Sequence, residues 1–141
     1  LSGGLDSTLV CGLMAERTTR LKAFSIGFGQ TIYDESSEAK RIAKHFGAEF
    51  ETIDCNDNAL AENLQKTLYH VEQPLANPNA IAKQMLSQLV SSRGYKVCLT
   101  GEGSDEIFGG YAFFKLEQIW SMLEAGGETA KKGLRLLRRF K

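Results

Sequence analysis

The chain has 141 residues, 43% hydrophobic and 24% charged, the make-up of one globular domain long enough to bury a single core. Seventeen basic and seventeen acidic residues cancel to a formal net charge of zero, which argues against nucleic acid as the main partner. No apolar run nears the ~20 residues that span a bilayer, no secretory leader pattern opens the chain, and Cys11, Cys55 and Cys98 read as reduced, buried thiols of a cytoplasmic protein.

The opening residues, LSGGLDS, set Ser2, Gly3 and Gly4 directly before an apolar helical pattern over Asp6–Thr18 that carries Leu9, Val10, Leu13 and Met14. LKAFSIGF, Leu21–Phe28, is a short apolar run followed by turn residues and predicts a strand. Asp34 can cap the next helix, in which Ala39, Ile42, Ala43 and Phe46 recur at i, i+3, i+4 and i+7 before Gly47 stops it. EFETIDC, Glu49–Cys55, alternates as a second strand. Asn56 or Asp57 then caps a helix with Leu60, Leu64, Leu68 and Val71. Pro74 and Pro78 bracket the loop EQPLANPNA, and Asn79 opens a helix with Ile81, Met85, Leu86 and Leu89 that ends at Gly94. KVCLT, Lys96–Thr100, predicts a buried strand running into GEGSDEIFGGY, and from Ala112 the tail is helical with a break at Gly126 and Gly127.

Strands alternating with amphipathic helices mean βαβ units and a mostly parallel α/β sheet, whose ligands sit outside the carboxyl ends of the strands. Both glycine-rich loops, Ser2–Ser7 and Gly101–Gly110, fall at such ends, the first if a strand precedes Leu1. They are therefore expected to face one crevice.

In the first loop, Ser2, Gly3 and Gly4 leave backbone N–H groups uncovered beside the positive end of a helix, an anion cradle suited to phosphates. It carries no lysine of the GxxxxGK[ST] kind and does not read GxSxG, so neither a Walker A loop nor a hydrolase elbow fits. A carboxylate at Asp6 makes sense there if Mg²⁺ bridges it to the phosphates. A plain glycine turn capping a helix is the blander alternative. The second loop gathers Glu102, Asp105 and Glu106 within five residues, which suits a metal or a water network. A merely solvated acidic turn is disfavoured because Ile107 and Phe108 should pull the segment inward.

SGGLDS, Ser2–Ser7, resembles the pyrophosphate-binding loop of the ATP-pyrophosphatase superfamily. LTGEGSDEIFGGY, Leu99–Tyr111, resembles the signature of the synthetase domain of class B, glutamine-dependent asparagine synthetases, and EQPLANPNAIA, Glu72–Ala82, is similar to the stretch before it. The resemblance runs from Leu1 to about Lys115. It implies a Rossmann-like parallel sheet of the adenine nucleotide alpha-hydrolase type, with a nucleotide-binding core over residues 1–111 and a helical tail over 112–141. It implies ATP at Leu1, Ser2, Gly3, Gly4, Asp6, Ser7, Ile26, Thr100 and Gly101, Mg²⁺ on Asp6 and Asp105, and Glu102 as the glutamate needed to form the acyl-adenylate. The implied reaction turns aspartate into asparagine through β-aspartyl-AMP, releasing AMP and pyrophosphate, with ammonia supplied from glutamine by an amino-terminal glutaminase domain. A homodimer stays open as the assembly.

Thr100 stands where the family usually has serine and keeps the hydroxyl. The same resemblance expects a fragment. The first strand, the glutaminase domain with its terminal cysteine and a downstream helical segment with a catalytic lysine would lie outside these residues, and no motif makes Lys115 that lysine. One alternative keeps the chemistry on another carboxylate, as in β-lactam synthetase-like ligases or other amidotransferases. Another is a tRNA-modifying member of the superfamily, against which stand the lack of paired cysteines and the presence of GEGSDEIFGGY. A non-catalytic nucleotide-binding module is disfavoured because every acidic position is intact.

Other residues read as structural. His45 and His70 have no partner at metal spacing, Cys98 is expected to be a core thiol, and Trp120 with Ile119, Met122 and Leu123 to form a packed helix face. In KKGLRLLRRFK, Leu134, Leu137 and Phe140 share one side. A helix separated from its neighbour and interrupted at Gly133 is preferred there to a membrane or RNA contact.

Overall fold

Residues 1–29 and 34–138 are described by the computed structural model; Phe140, assigned above to the apolar side of the tail, lies outside them. The chain divides into two compact units, one ending at Gly101 and one beginning at Glu102.

In the first unit, α1 (Leu5–Ala15), β1 (Lys22–Gly27), α2 (Ser36–His45), β2 (Glu49–Asp54), α3 (Asp57–Val71) and α4 (Asn79–Ser92) follow in order. β1 and β2 pair in parallel, from Lys22 opposite Glu49 to Gly27 opposite Asp54, with α2 as the crossover. This is the expected βαβ unit of an α/β fold. α2 forms where the sequence pattern places it. Asp34 Oδ1 accepts the Ser36 N–H at 2.9 Å, Ala39, Ile42 and Ala43 are buried, and Gly47 ends the helix at φ 68°. β1 buries Ala23, Phe24 and Ser25 in succession, as a strand covered on both faces does, whereas β2 is a half-exposed edge. Asn56 caps α3 by accepting the Ala59 N–H at 3.0 Å. Along α3 the expected stripe is only partly covered: Leu64 and Leu68 are exposed, and Thr67 is buried instead, its hydroxyl donating to Asn63 O at 2.8 Å.

Lys96–Thr100 is not the expected buried strand. Val97 and Leu99 are 76% and 61% exposed, and the segment joins no ladder among the described residues. With no ladder partner among the described residues, the segment has no sheet to cover its side chains. The carbonyls of Leu21 and Gly27 face β2, so that of Phe24 faces the other way, and it accepts the Leu1 nitrogen at 2.6 Å. Cys98, in the uncovered Lys96–Thr100 segment, is exposed rather than a core thiol, while Cys11 and Cys55 are buried, and burial pushes both of their thiols up in pKa.

The second unit contains α5 (Ser104–Phe108), α6 (Ala112–Glu124) and α7 (Gly127–Leu137), with the expected break between α6 and α7. Gly133 does not interrupt its helix. It is buried, and a methyl group there would meet Met122 Cβ at 3.1 Å, so it lets α7 approach α6 closely. Ile119 is buried at this contact, but Trp120, expected in the same packed face, is 65% exposed and donates its indole N–H to Glu124 at 2.9 Å. Ile119, Met122 and Leu123 share an i, i+3, i+4 face, and Trp120 points a quarter-turn away from it. Ile107 and Phe108 are also exposed and do not pull the acidic segment inward. α5 has five residues closed by left-handed Gly103 and Gly109, too short to present a buried face. Among the described residues no helix is long and apolar enough to cross a membrane.

Candidate functional site

The first glycine loop is tied together by hydroxyls. Ser7 Oγ accepts the Ser2 N–H at 3.1 Å and lies 2.9 Å from Ser2 Oγ, which in turn accepts the Gly4 N–H at 3.1 Å. Thr8 closes the turn by donating its hydroxyl to Gly4 O at 2.7 Å. The third N–H, on Gly3, donates to Glu35 Oε2 at 3.1 Å. The expectation of uncovered N–H groups is thus corrected: each of the three meets a side-chain oxygen, as donors generally do. Anion-seeking character remains at the start of α1. Gly4 offers that helix no capping side chain, and the first-turn N–H groups of a helix have no intrahelical acceptor.

Thr100–Gly101 reaches this same turn. A Cβ built on Gly101 would lie 2.8 Å from Ser7 N and 2.9 Å from Asp6 Cβ, so the bare Gly101 Cα sits directly on the first turn of α1. The first unit therefore brings Ser2–Ser7 together with Gly101, although 94 positions separate Ser7 from Gly101 (101 less 7). Ile26 stands near the carboxyl end of β1, two residues beyond the Phe24 carbonyl that holds Leu1. Asp6 is half-buried at the helix start.

In the second unit, Asp105 and Glu106 occupy the first turn of α5, where acids favour a helix N-terminus. The Tyr111 hydroxyl donates to Glu106 Oε1 at 2.8 Å, and that bond, with the negative charges of Glu106, Asp105 and Glu102, raises the phenol above its ordinary pKa. Gly110 donates its N–H to Asp105 O at 3.0 Å, and a Cβ there would fall 1.9 Å from Asp105 Oδ1. The Asp105 carboxylate thus rests against a bare Cα. Among the described residues no group of three or more His, Cys, Asp or Glu is set to hold a metal ion. His45 and His70 are exposed and make edge-on ring contacts with their chain neighbours, Phe46 at 4.9 Å and Tyr69 at 5.5 Å.

Glu35 was not singled out by the sequence. It lies 32 positions from its Gly3 partner, and a glutamate at a helix start carries no local sign of a distant acceptor role.

A family model described as asparagine synthase matches residues 1–140. The chain is 35% identical over 115 residues to asparagine synthetase (glutamine-hydrolysing) 1 of Bacillus subtilis, covering 82% of this chain and 18% of that protein. It is 32% identical over 126 residues to asparagine synthetase (glutamine-hydrolysing) 2 of Oryza sativa subsp. japonica, covering 81% and 21%. It is also 30% identical over 155 residues to the amidase chyE of Penicillium rubens, covering 95% and 23%. The chain spans about a fifth of the length of the curated relatives it matches.

Proposed function

The chain belongs to the asparagine synthase family, and from that premise we propose that it forms the nucleotide-binding part of a ligase that amidates aspartate at the expense of ATP. A side-chain carboxylate oxygen of aspartate attacks the α-phosphorus of ATP, and the bond to pyrophosphate breaks. Ammonia then attacks the acyl carbon of the β-aspartyl-AMP and expels AMP. The observation that carries this reading is the bare Gly101 Cα seated on Asp6 and Ser7. There the residue that opens the second glycine loop rests on the helix N-terminus that the first loop leads into, a place suited to phosphate.

In this reading Ser2, Gly3, Gly4 and Ser7 receive the pyrophosphate, Leu1 and Ile26 line the nucleotide, and Thr100 and Gly101 hold it over the first turn of α1. Asp6 and Asp105 would be the hard oxygen donors for Mg²⁺, an ion that would offset the charge on the departing pyrophosphate. Glu102 orders the acceptor carboxylate for attack rather than binding ATP. Ammonia drawn from glutamine by a glutaminase domain and a cytoplasmic setting complete the proposal.

The test is aspartate-dependent exchange of labelled pyrophosphate into ATP by the intact enzyme. Glu102→Ala should retain ATP binding and lose exchange, and exchange at the unsubstituted level would reduce Glu102 to a loop-shaping role. A second reading, the same chemistry on another carboxylate, is favoured by the relatives named amidases, chyE and the Gibberella zeae protein chry2, at 30% and 31% identity. Exchange supported by other carboxylic acids but not by aspartate would select it.

A further inference from the structure

We propose that Glu35 keeps the pyrophosphate loop in a self-occupied state, its carboxylate standing on the Gly3 N–H that a phosphate oxygen of the nucleotide must take over. The inference rests on the nucleotide-binding reading above and concerns the regulation of that same site.

The three loop donors are not equivalent. Ser2 and Gly4 donate to neutral hydroxyls that belong to the loop itself, at 3.1 Å each. Gly3 alone donates to a charged oxygen, Glu35 Oε2, brought from the start of α2. The first turn of α2 is pressed onto this glycine: a Cβ on Gly3 would meet Glu38 Cγ at 3.0 Å and Glu35 Cβ at 3.6 Å. Two acids thus stand beside a cradle for anions, and they are engaged differently. Arg41 grips Glu38 through Nε at 2.9 Å and through its terminal nitrogen at 2.5 Å. Glu35 is the acid of this turn that reaches the loop.

A carboxylate and a phosphate oxygen are acceptors of the same kind for one backbone N–H, so they compete. The carboxylate also repels an arriving polyanion. Apparent affinity is then the intrinsic affinity multiplied by the fraction of molecules in which Glu35 has swung out, and it is lowered as long as that fraction is small. Glu35 is exposed, so the swing costs little packing.

Calorimetric titration of the intact enzyme with Mg·pyrophosphate and Mg·ATP separates the possibilities, using Glu35→Gln and Glu35→Ala. Both variants should bind both ligands about three- to tenfold more tightly, because each removes the competing charge. Unchanged affinity in both overturns the inference. So does unchanged binding in the glutamine variant with weaker binding in the alanine variant, which marks a loop-shaping bond. Weaker binding in both also overturns it, marking a metal-holding carboxylate. If the unsubstituted enzyme binds neither ligand, the nucleotide reading falls and takes this inference with it. If it binds them and neither variant gains, the inference alone falls.

Discussion

The two glycine-rich loops divide labour in opposite ways. In Ser2–Ser7 the side chains are scaffolding: two serine hydroxyls and a threonine hold the backbone, and the chemistry offered is a set of N–H groups at a helix start. In Glu102–Gly110 the glycines are scaffolding. Gly103 and Gly109 take left-handed φ values of 88° and 68° to turn the chain, Gly110 makes room for a carboxylate, and the chemistry offered is negative charge. One loop suits an anion and the other suits what accompanies an anion. Small residues in such loops thus have different reasons for being small, and substitution should separate those reasons.

Gly101 gives the largest expected effect, because its neighbours are backbone and cannot rotate aside. A valine there would drive atoms into Ser7 N and Asp6, displacing the helix start from the Thr100–Gly101 turn. We expect Gly101→Val to lower aspartate-dependent pyrophosphate exchange by ~100-fold, the usual result of a displacement near 1 Å among reacting groups. Overpacking should also cost roughly 1–3 kcal/mol in urea unfolding. Near-normal exchange would separate the two loops functionally and undo the comparison.

Gly110 should behave differently. Its obstacle is the end of the Asp105 side chain, which can turn toward solvent. Gly110→Ala is therefore expected to leave unfolding within about 0.5 kcal/mol of the parent protein. Exchange should fall by about tenfold at limiting Mg²⁺ and recover substantially at high Mg²⁺, since a metal-ligand oxygen is misplaced rather than removed. A loss that no Mg²⁺ concentration relieves would assign Asp105 a role apart from the metal.

This contrast also explains what the sequence made legible. The βαβ unit was readable because its signals are local: Asp34 ahead of a helix, the Ala39, Ile42 and Ala43 spacing, Gly47 after it. The strand expected at Lys96–Thr100 was not, because a strand is a relation between segments, and among the described residues this one joins no ladder. Cys98 is exposed along with that segment. Trp120 and Phe108 were misplaced for a related reason: apolar residues state a need for cover without saying which turn of helix receives it. Of the site, the glycine and serine spacing of Ser2–Ser7 was visible, whereas the seating of Gly101 on Asp6 and the reach of Glu35 to Gly3 are tertiary contacts with no local trace.

The smallest effect expected is spectroscopic and tests whether the second loop is a concentrated negative field. Tyr111 donates to Glu106, and its ring is stacked on Phe113 with centroids 5.3 Å apart, so the phenol is held where the acids act on it. The bond to Glu106, then desolvation of the phenol and the charges of Glu106, Asp105 and Glu102, raise its pKa above the ordinary value of 10. A raised phenol favours the folded state while it stays protonated. That contribution is complete below the unfolded value and is lost as pH climbs through the folded one. An alkaline absorbance titration of the intact enzyme, differenced against Tyr111→Phe to isolate this ring, should show ionisation above pH 10. In Glu106→Gln the midpoint should move back toward 10, because the ionised acceptor is gone and two carboxylates remain. In Asp105→Asn the shift should be smaller, as that group acts through charge alone. Activity in Tyr111→Phe should change by less than about twofold, since the phenol reports the field without supplying it. A midpoint indifferent to Glu106 would mean that the acids of this loop are too well solvated to act together, and the loop would then be the plain acidic turn that its glycines alone suggest.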